Sequence, residues 1–292
     1  MAEYKRRWGD RKDGRRIRSL PAFSNFIPFI MPVRNDATNY YDESFEISAV
    51  EQLLRRLRAD GCPHISPLHF LIAAYVRCMA EYPGLNRFVV GRRIYAHNSI
   101  EVVMTVKREL KLEGEETTIK VVFDPTDTIR DVYRKFNEKV MEIKDSPEEN
   151  GTEKVAGLLC KAPRWLLNFI ISLLHWLDYH GWLPRALTDV SPFHGSMIIT
   201  DLGSIGIGPV FHHIYNFGTL PCFIAFGSKR RCMELNSEGQ PERRIYLDCK
   251  FSLDERIVDG YYYAKFFRLY RRLVRHPEML ETPPARVQQD IP

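Results

Sequence analysis

The chain has 292 residues, 45% of them hydrophobic, 12% aromatic and 27% charged, the balance of a globular protein able to bury a core without disulfides. Its formal net charge of +5 is concentrated in the first 18 residues, where eight Lys or Arg face three acids. The remaining body is neutral, which excludes a charge-driven nucleic-acid-binding body, and the composition excludes a disordered tail or a fibre.

The basic stretch, residues 1–20, reads as a solvated arm rather than a nucleic-acid or membrane-surface arm. Met1 is followed by charged residues, with no apolar run before Ile17, so no secretory signal is expected. Six cysteines (Cys62, Cys78, Cys160, Cys222, Cys232, Cys249) form no C-x-x-C pair, which points away from a metal site and a disulfide framework and towards the reducing cytoplasm.

Asn25 to Val33 reads as a strand and Glu43 to Ile47 as a second, followed by Ser48 as the cap of a helix from Ala49 to Leu57. Leu68, Leu71, Ile72, Tyr75, Val76 and Met79 recur at helical spacing, so the helix from Pro67 to Ala80 packs on a core before Pro83 and Gly84 stop it. Ile100 to Val106 and Thr117 to Phe123 read as paired strands around a charged connection with Gly114. A helix from Thr128 to Ile143 and an exposed loop from Asp145 to Gly151 follow.

Trp165 to Leu177 is an apolar helix interrupted by Asn168, Ser172 and His175, too short and too polar to span a bilayer. It is expected to be buried against the core or another subunit rather than to lie on a membrane. Ser196 to Thr200, Cys222 to Phe226 and Arg243 to Leu253 read as strands, and Tyr261 to Val274 as a closing helix. The run GSMIITDLGSIGIGP lacks the acidic ribose-binding residue of a dinucleotide fingerprint and reads as a turn-rich strand exit. One domain without repeats is expected over 21–283, with a tail at 284–292.

The segment SLDERIVDG at Ser252 to Gly260 resembles the signature of the acyltransferase catalytic core of 2-oxoacid dehydrogenase complexes (dihydrolipoyl acyltransferase) and of its relative chloramphenicol acetyltransferase, D-H-R-x-x-D-G before the last helix. The family's catalytic histidine falls on Glu255. GSMIITDLGSIGI is similar to the family's G-T-F-T-I-S-N-L-G-x-x-G strand and turn, with Thr200 at the oxyanion-binding hydroxyl. HISPLHFLIAAYVRCMAEYPGLN and PVRNDATNYYDESFEIS resemble the early helix and the first arginine region. Two features depart from the family: its T-x-x-G-L-x-x-P turn is missing between Val106 and Phe123, and 154–190 is longer and more apolar.

The resemblance implies an α/β, two-layer chloramphenicol acetyltransferase-type sandwich, with a mixed, mostly antiparallel sheet, helices on one face and a strand contributed across a subunit boundary. It also implies a homotrimer whose sites lie between chains, so that Thr200 and Glu255 come from different protomers. The implied activity is acyl transfer between a coenzyme A thioester and a thiol, hydroxyl or amine acceptor, without a metal, an attached lipoyl group or a membrane span. Residue by residue, Glu255 is the general base, Thr200 the oxyanion donor and Asp259 a structural acid bonded to an arginine, for which Arg34 is the candidate, while Gly260 allows the turn into the helix.

Alternatives stay open at each position. Glu255 is also consistent with a surface or structural carboxylate paired with Arg256 or another base, and Asp259 with a helix N-cap. Reference values put thiol, His and Glu at about 8.5, 6.5 and 4.3, so a Glu base is worse than His by on the order of 3 kcal/mol unless burial raises it. His212 and His213, read as strand neighbours pointing to opposite faces, and His194 are expected to pack or hydrogen-bond rather than to catalyse. Tyr261, Tyr262, Tyr263, Phe266 and Phe267 are expected in the core, with one or two available to line an acyl tunnel. Two further readings remain: a non-catalytic trimeric scaffold or ligand sensor of the same fold, and a condensation-type enzyme using carrier-bound acyl groups.

Overall fold

The computed structural model describes residues 6–107, 116–145, 157 and 161–292. The expected loop around 146–151, Cys160 and Gly114 lie outside the described residues.

The central sheet has the strand order β2-β10-β8-β7-β5-β6, formed by β2 (Thr38–Glu46), β5 (Ile100–Lys107), β6 (Glu116–Phe123), β7 (Met197–Asp201), β8 (Cys222–Phe226) and β10 (Pro241–Asp254). β9 (Arg230–Leu235) pairs with the first half of β10, whose second half pairs with β8. The contacts of β7 with β5 and β8 are parallel and the rest antiparallel, so the sheet is mixed and mostly antiparallel as expected.

Period-two alternation divides the sheet into two faces. Phe251, Leu253, Ile199 and Ile224 point into the main core, where α2 (Ser48–Ala59), α3 (Pro67–Glu81), α4 (Ile129–Asp145) and the closing helix Gly260–Arg275 cover them. The opposite face carries a small cluster of Val103, Ile198, Ile214, Leu220 and Phe223. α3 is buried along nearly its whole length because its sequence is apolar on almost every side. Its start is fixed by Pro67 and by a capping box in which the Ser66 N–H donates to His69 Nδ1 at 3.1 Å.

Several expectations fail. Asn25 to Val33 is not a strand: Ala22–Ile30 forms a helix, α1, with Pro28 inside it. Pro28 cannot donate to a ladder, which weighs against a paired strand, while Phe23, Phe26 and Ile30 fall at helical spacing. Ser48 is the first helical residue rather than a side-chain cap, since Glu46 Oε1 accepts from its N–H at 2.9 Å.

Residues 10–17 are not a solvated arm. β1 (Gly14–Arg16) pairs with β4 (Arg93–His97), which pairs with β3 (Arg87–Val90), giving a second, three-stranded sheet. Gly14 is required there because a Cβ would lie 2.6 Å from the Phe88 ring. Arg11 is buried, donating to Asp178 Oδ1 at 2.7 Å and to both oxygens of Asp13 at 2.8 and 3.0 Å. The carboxyl-terminal residues are held as well. Arg87 grips both oxygens of Asp290 at 2.7 and 2.5 Å, and Pro292 O accepts from the N–H of Arg18 and of Ser19.

The apolar segment 165–177 lies in a helix, α5 (Arg164–His180), but only Asp178 of it is buried within this chain. It is therefore not part of the chain's own core. A short helix, α6 (Arg185–Val190), follows it. Among the described residues no helix is long and apolar enough to cross a membrane.

Candidate active site

The DERIVDG turn joins β10 to the closing helix, α7 (Gly260–Arg275), and a buried acid holds it. Asp254 is 0% exposed. Arg256 donates through Nε to its Oδ1 at 2.8 Å and through Nη2 to its Oδ2 at 2.7 Å, a bidentate pair. Arg34 Nε approaches Oδ2 at 3.4 Å as an ion pair, too poorly aimed to count as a hydrogen bond. The Arg34 Nη groups are satisfied by three carbonyls, those of Tyr215, Val89 and Gly218. Burial outweighs the attraction of Asp254 and pulls the Arg34 guanidinium down to about 10, still charged at neutral pH.

Arg34 therefore belongs to Asp254, not to Asp259 as expected. Asp259 is exposed and accepts from the Tyr262 N–H at 2.8 Å, which is the N-cap geometry left open above. The reason is proximity: Asp254 ends β10 opposite Thr38, four residues from Arg34, whereas Asp259 lies beyond the turn. Gly260 is the first residue of α7, with open space around it.

Glu255 follows the clamped acid directly. Its N–H donates to Ala37 O at 2.9 Å, which fixes the backbone, and its Oε2 accepts from Asn39 Nδ2 at 2.8 Å. The carboxylate is half-exposed. Arg256 is committed to Asp254 and Met31 O, so the alternative pairing of Glu255 with Arg256 does not occur. Asn39, Asp254 and Arg256 shape this end of the site; Asp254 and Arg256 belong to the motif seen in the sequence, whereas Asn39 did not stand out there.

Thr200 sits near the end of β7, opposite Ala225, on the face away from the helices together with Ile198 and Phe223. Its turn is tight: a Cβ on Gly203 would lie 2.6 Å from Gly227 O, and Gly206 adopts a φ of 79°. Asp201 closes the turn by accepting from the Ser204 N–H at 3.0 Å.

Thr200 and Glu255 do not meet within one chain. Thr200 aligns through Ala225 with Lys250, two strands away, and Glu255 follows the end of β10 five residues further on, so the two are separated by roughly 16 Å along the strands at ~3.3 Å per residue in addition to the two strand spacings.

His212 and His213 are not in strands. His212 lies between them in an irregular segment, its ring stacked on Phe223 at 4.3 Å and its carbonyl accepting from the Ser252 hydroxyl. Its Nε2 is buried without a partner, and burial lowers the imidazole below its ordinary value. His213 leans on Tyr215. His194 is buried elsewhere, with Nε2 3.4 Å from Asp178 Oδ1. Of the aromatic run, Tyr263, Phe266 and Phe267 are in the core, Tyr262 accepts from the Gly84 N–H at 2.8 Å, and Tyr261 is 70% exposed.

A cavity of about 190 Å³ lies apart from Glu255 and Thr200, lined by His194 with Arg11, Asp13, His97, Glu101 and Thr219 among others.

No protein-family model and no curated protein sequence matches the chain. Solved structures do. A probable dihydrolipoamide acetyltransferase from Listeria monocytogenes superposes with a TM-score of 0.55 at 14% identity, over 89% of this chain and 94% of that one. A truncated catalytic core of the 2-oxoacid dehydrogenase multienzyme complex from Thermoplasma acidophilum gives 0.52 at 16% identity, over 90% and 99%. A chloramphenicol acetyltransferase gives 0.52 at 12% identity, over 89% and 99%. With the mixed sheet, the helices on one face and the DERIVDG turn in place, the chain has the fold shared by dihydrolipoamide acetyltransferase catalytic cores and chloramphenicol acetyltransferase.

Proposed function

We propose that the protein is a cytosolic homotrimeric acyltransferase that moves an acyl group between a coenzyme A thioester and a thiol, hydroxyl or amine acceptor. Glu255 of one protomer takes the proton of the attacking group, the anion adds to the thioester carbonyl, and Thr200 of a neighbouring protomer donates to the oxyanion. Collapse of the intermediate breaks the thioester C–S bond and expels its thiolate, which recovers the proton from Glu255.

The observation that carries this reading is the fixed position of Glu255. Asp254, clamped by Arg256 and approached by Arg34, anchors the turn, and the Glu255 backbone is tied to Ala37, so the carboxylate is presented at one defined place. Asn39 orients it, and Asp259 supports it only by capping the helix that follows.

A second reading, a non-catalytic scaffold or ligand sensor, draws on the same residue. Asn39 already engages the carboxylate, and reference values place Glu about 3 kcal/mol behind His as acceptor of a thiol proton. Calorimetric titration with coenzyme A separates the two. Heat of binding at millimolar or lower ligand supports the acyltransferase, and its absence leaves the scaffold or the carrier-dependent reading.

A further inference from the structure

All four tryptophans of the chain are exposed: Trp8 93%, Trp165 71%, Trp176 49% and Trp182 59%. Tryptophan normally buries most of its surface, and it is exposed chiefly where one end meets apolar material and the other water. On α5, Trp165, Phe169, Leu173 and Trp176 fall on one helical stripe, each at least 41% exposed. On α1, Phe23, Phe26 and Ile30 form a second stripe, each at least 53% exposed.

The structure ties these elements together. Arg11 bonds the basic segment that carries Trp8 to Asp178 at the end of α5. The β3–β4 turn touches both helices. The Arg92 guanidinium lies 5.5 Å from the Phe29 ring of α1, and Gly91 packs so close to α5 that a Cβ would lie 2.6 Å from Tyr179 O.

The charge around the apolar stripes has one sign. Residues 6–18 hold seven Lys or Arg and two Asp, and both Asp are engaged inside the segment, Asp10 by Arg18 and Asp13 by Arg11. Exposed Arg6, Arg7 and Lys12 remain around Trp8, and α1 has no charged residue. Lys161 and Arg164 precede the α5 stripe. A second copy docking here through a two-fold contact would bring the basic segments face to face, a like-charge juxtaposition. An anionic bilayer instead complements both the aromatic stripes and the cations.

We propose that α1, α5 and the Trp8 segment form a docking surface for an anionic membrane, lying in the interface without crossing it. This surface lies outside the elements that carry Glu255 and Thr200, and it stands or falls independently of acyl transfer.

The test is sedimentation of the full-length protein with vesicles of phosphatidylcholine mixed with phosphatidylglycerol, and with vesicles of phosphatidylcholine alone. The expected result is binding to the anionic vesicles, a blue shift of tryptophan emission on binding, and weakening by added salt. Neutralising Arg6, Arg7 or Lys12 to Gln lowers partitioning by roughly fivefold per residue. Trp165→Ser and Trp176→Ser lower it by roughly tenfold each, with circular dichroism unchanged because both side chains are already exposed. Failure of the wild type to bind anionic vesicles overturns the proposal. So does a result in which the tryptophan variants dissociate an oligomer while vesicle binding stays at the wild-type level, since the face would then be covered by a second copy.

Discussion

Asp254 takes both its best hydrogen bonds from Arg256, two residues away, and faces Arg34, 220 residues earlier, at 3.4 Å. The local pair alone would shape the turn; the distant arginine fixes the turn to the irregular chain before β2. Because all three groups are buried, removing one charge strands another.

Two neighbouring acids therefore differ in importance. Asp254→Asn is expected to destabilise the fold by about 3–5 kcal/mol, because it leaves buried arginine charge uncompensated. Asp259→Ala is expected to cost about 1 kcal/mol, the loss of a helix cap. Urea denaturation of the two variants checks the ranking, and a larger loss at Asp259 would contradict it.

Stability should also fall as the solution is acidified through the histidine range. Burial pulls His69 down to about 4, and its Nδ1 accepts from the Ser66 N–H, a bond that protonation destroys. A histidine whose folded value is depressed contributes fully above its unfolded value of about 6.5, and the contribution is lost as pH falls towards 4. His69→Gln is expected to be less stable at pH 7 and to flatten the decline between about 6.5 and 4, measured by denaturation midpoints across pH.

The buried Arg11–Asp178 pair predicts local release of the amino-terminal segment. Burial alone would raise the Asp178 carboxyl, but His194 and Arg11 outweigh it and hold the carboxyl well below the usual range. Its contribution is therefore present above about pH 4 and lost below. At neutral pH, Asp178→Asn removes that attraction and is expected to expose residues 6–18 to limited proteolysis while the core resists, with cleavage mapped by mass spectrometry.

The strands that run through the core were legible in the sequence. Cys222 to Phe226 is a continuous apolar run and forms β8 with the same bounds, and the helix expected from Pro67 is α3. β3 and β4 were missed because their turn uses Gly91-Arg92, with φ of 59° and 57°, instead of the Asn-Gly pair that usually signals two positive φ values. β1 was hidden by its charge, since Arg11 looked solvated until its partner Asp178, 167 residues later, was in view. Glu255 and Thr200 stood out through their motifs. Asn39 and the Arg34–Asp254 contact did not, because they depend on how β2 pairs with β10, and no local pattern records that register.

Oligomeric mass checks the separation of Thr200 and Glu255. Thr200 and Glu255 lie two strands and five residues apart, roughly 19 Å at ~4.8 Å per strand and ~3.3 Å per residue, so the proposed shared site is expected to give a trimer by light scattering, and a monodisperse monomer would leave the two residues unable to share a substrate.

The most direct measurement is turnover of the Glu255 variants in a coenzyme A-dependent acyl-transfer assay. Glu255→Gln is expected to keep the fold and the trimer while lowering turnover by roughly 100-fold or more, and Glu255→His to keep or raise activity. Wild-type turnover in the Gln variant would contradict the role of Glu255 as base and move the search to His212, whose buried Nε2 lies on the same face of the sheet as Thr200.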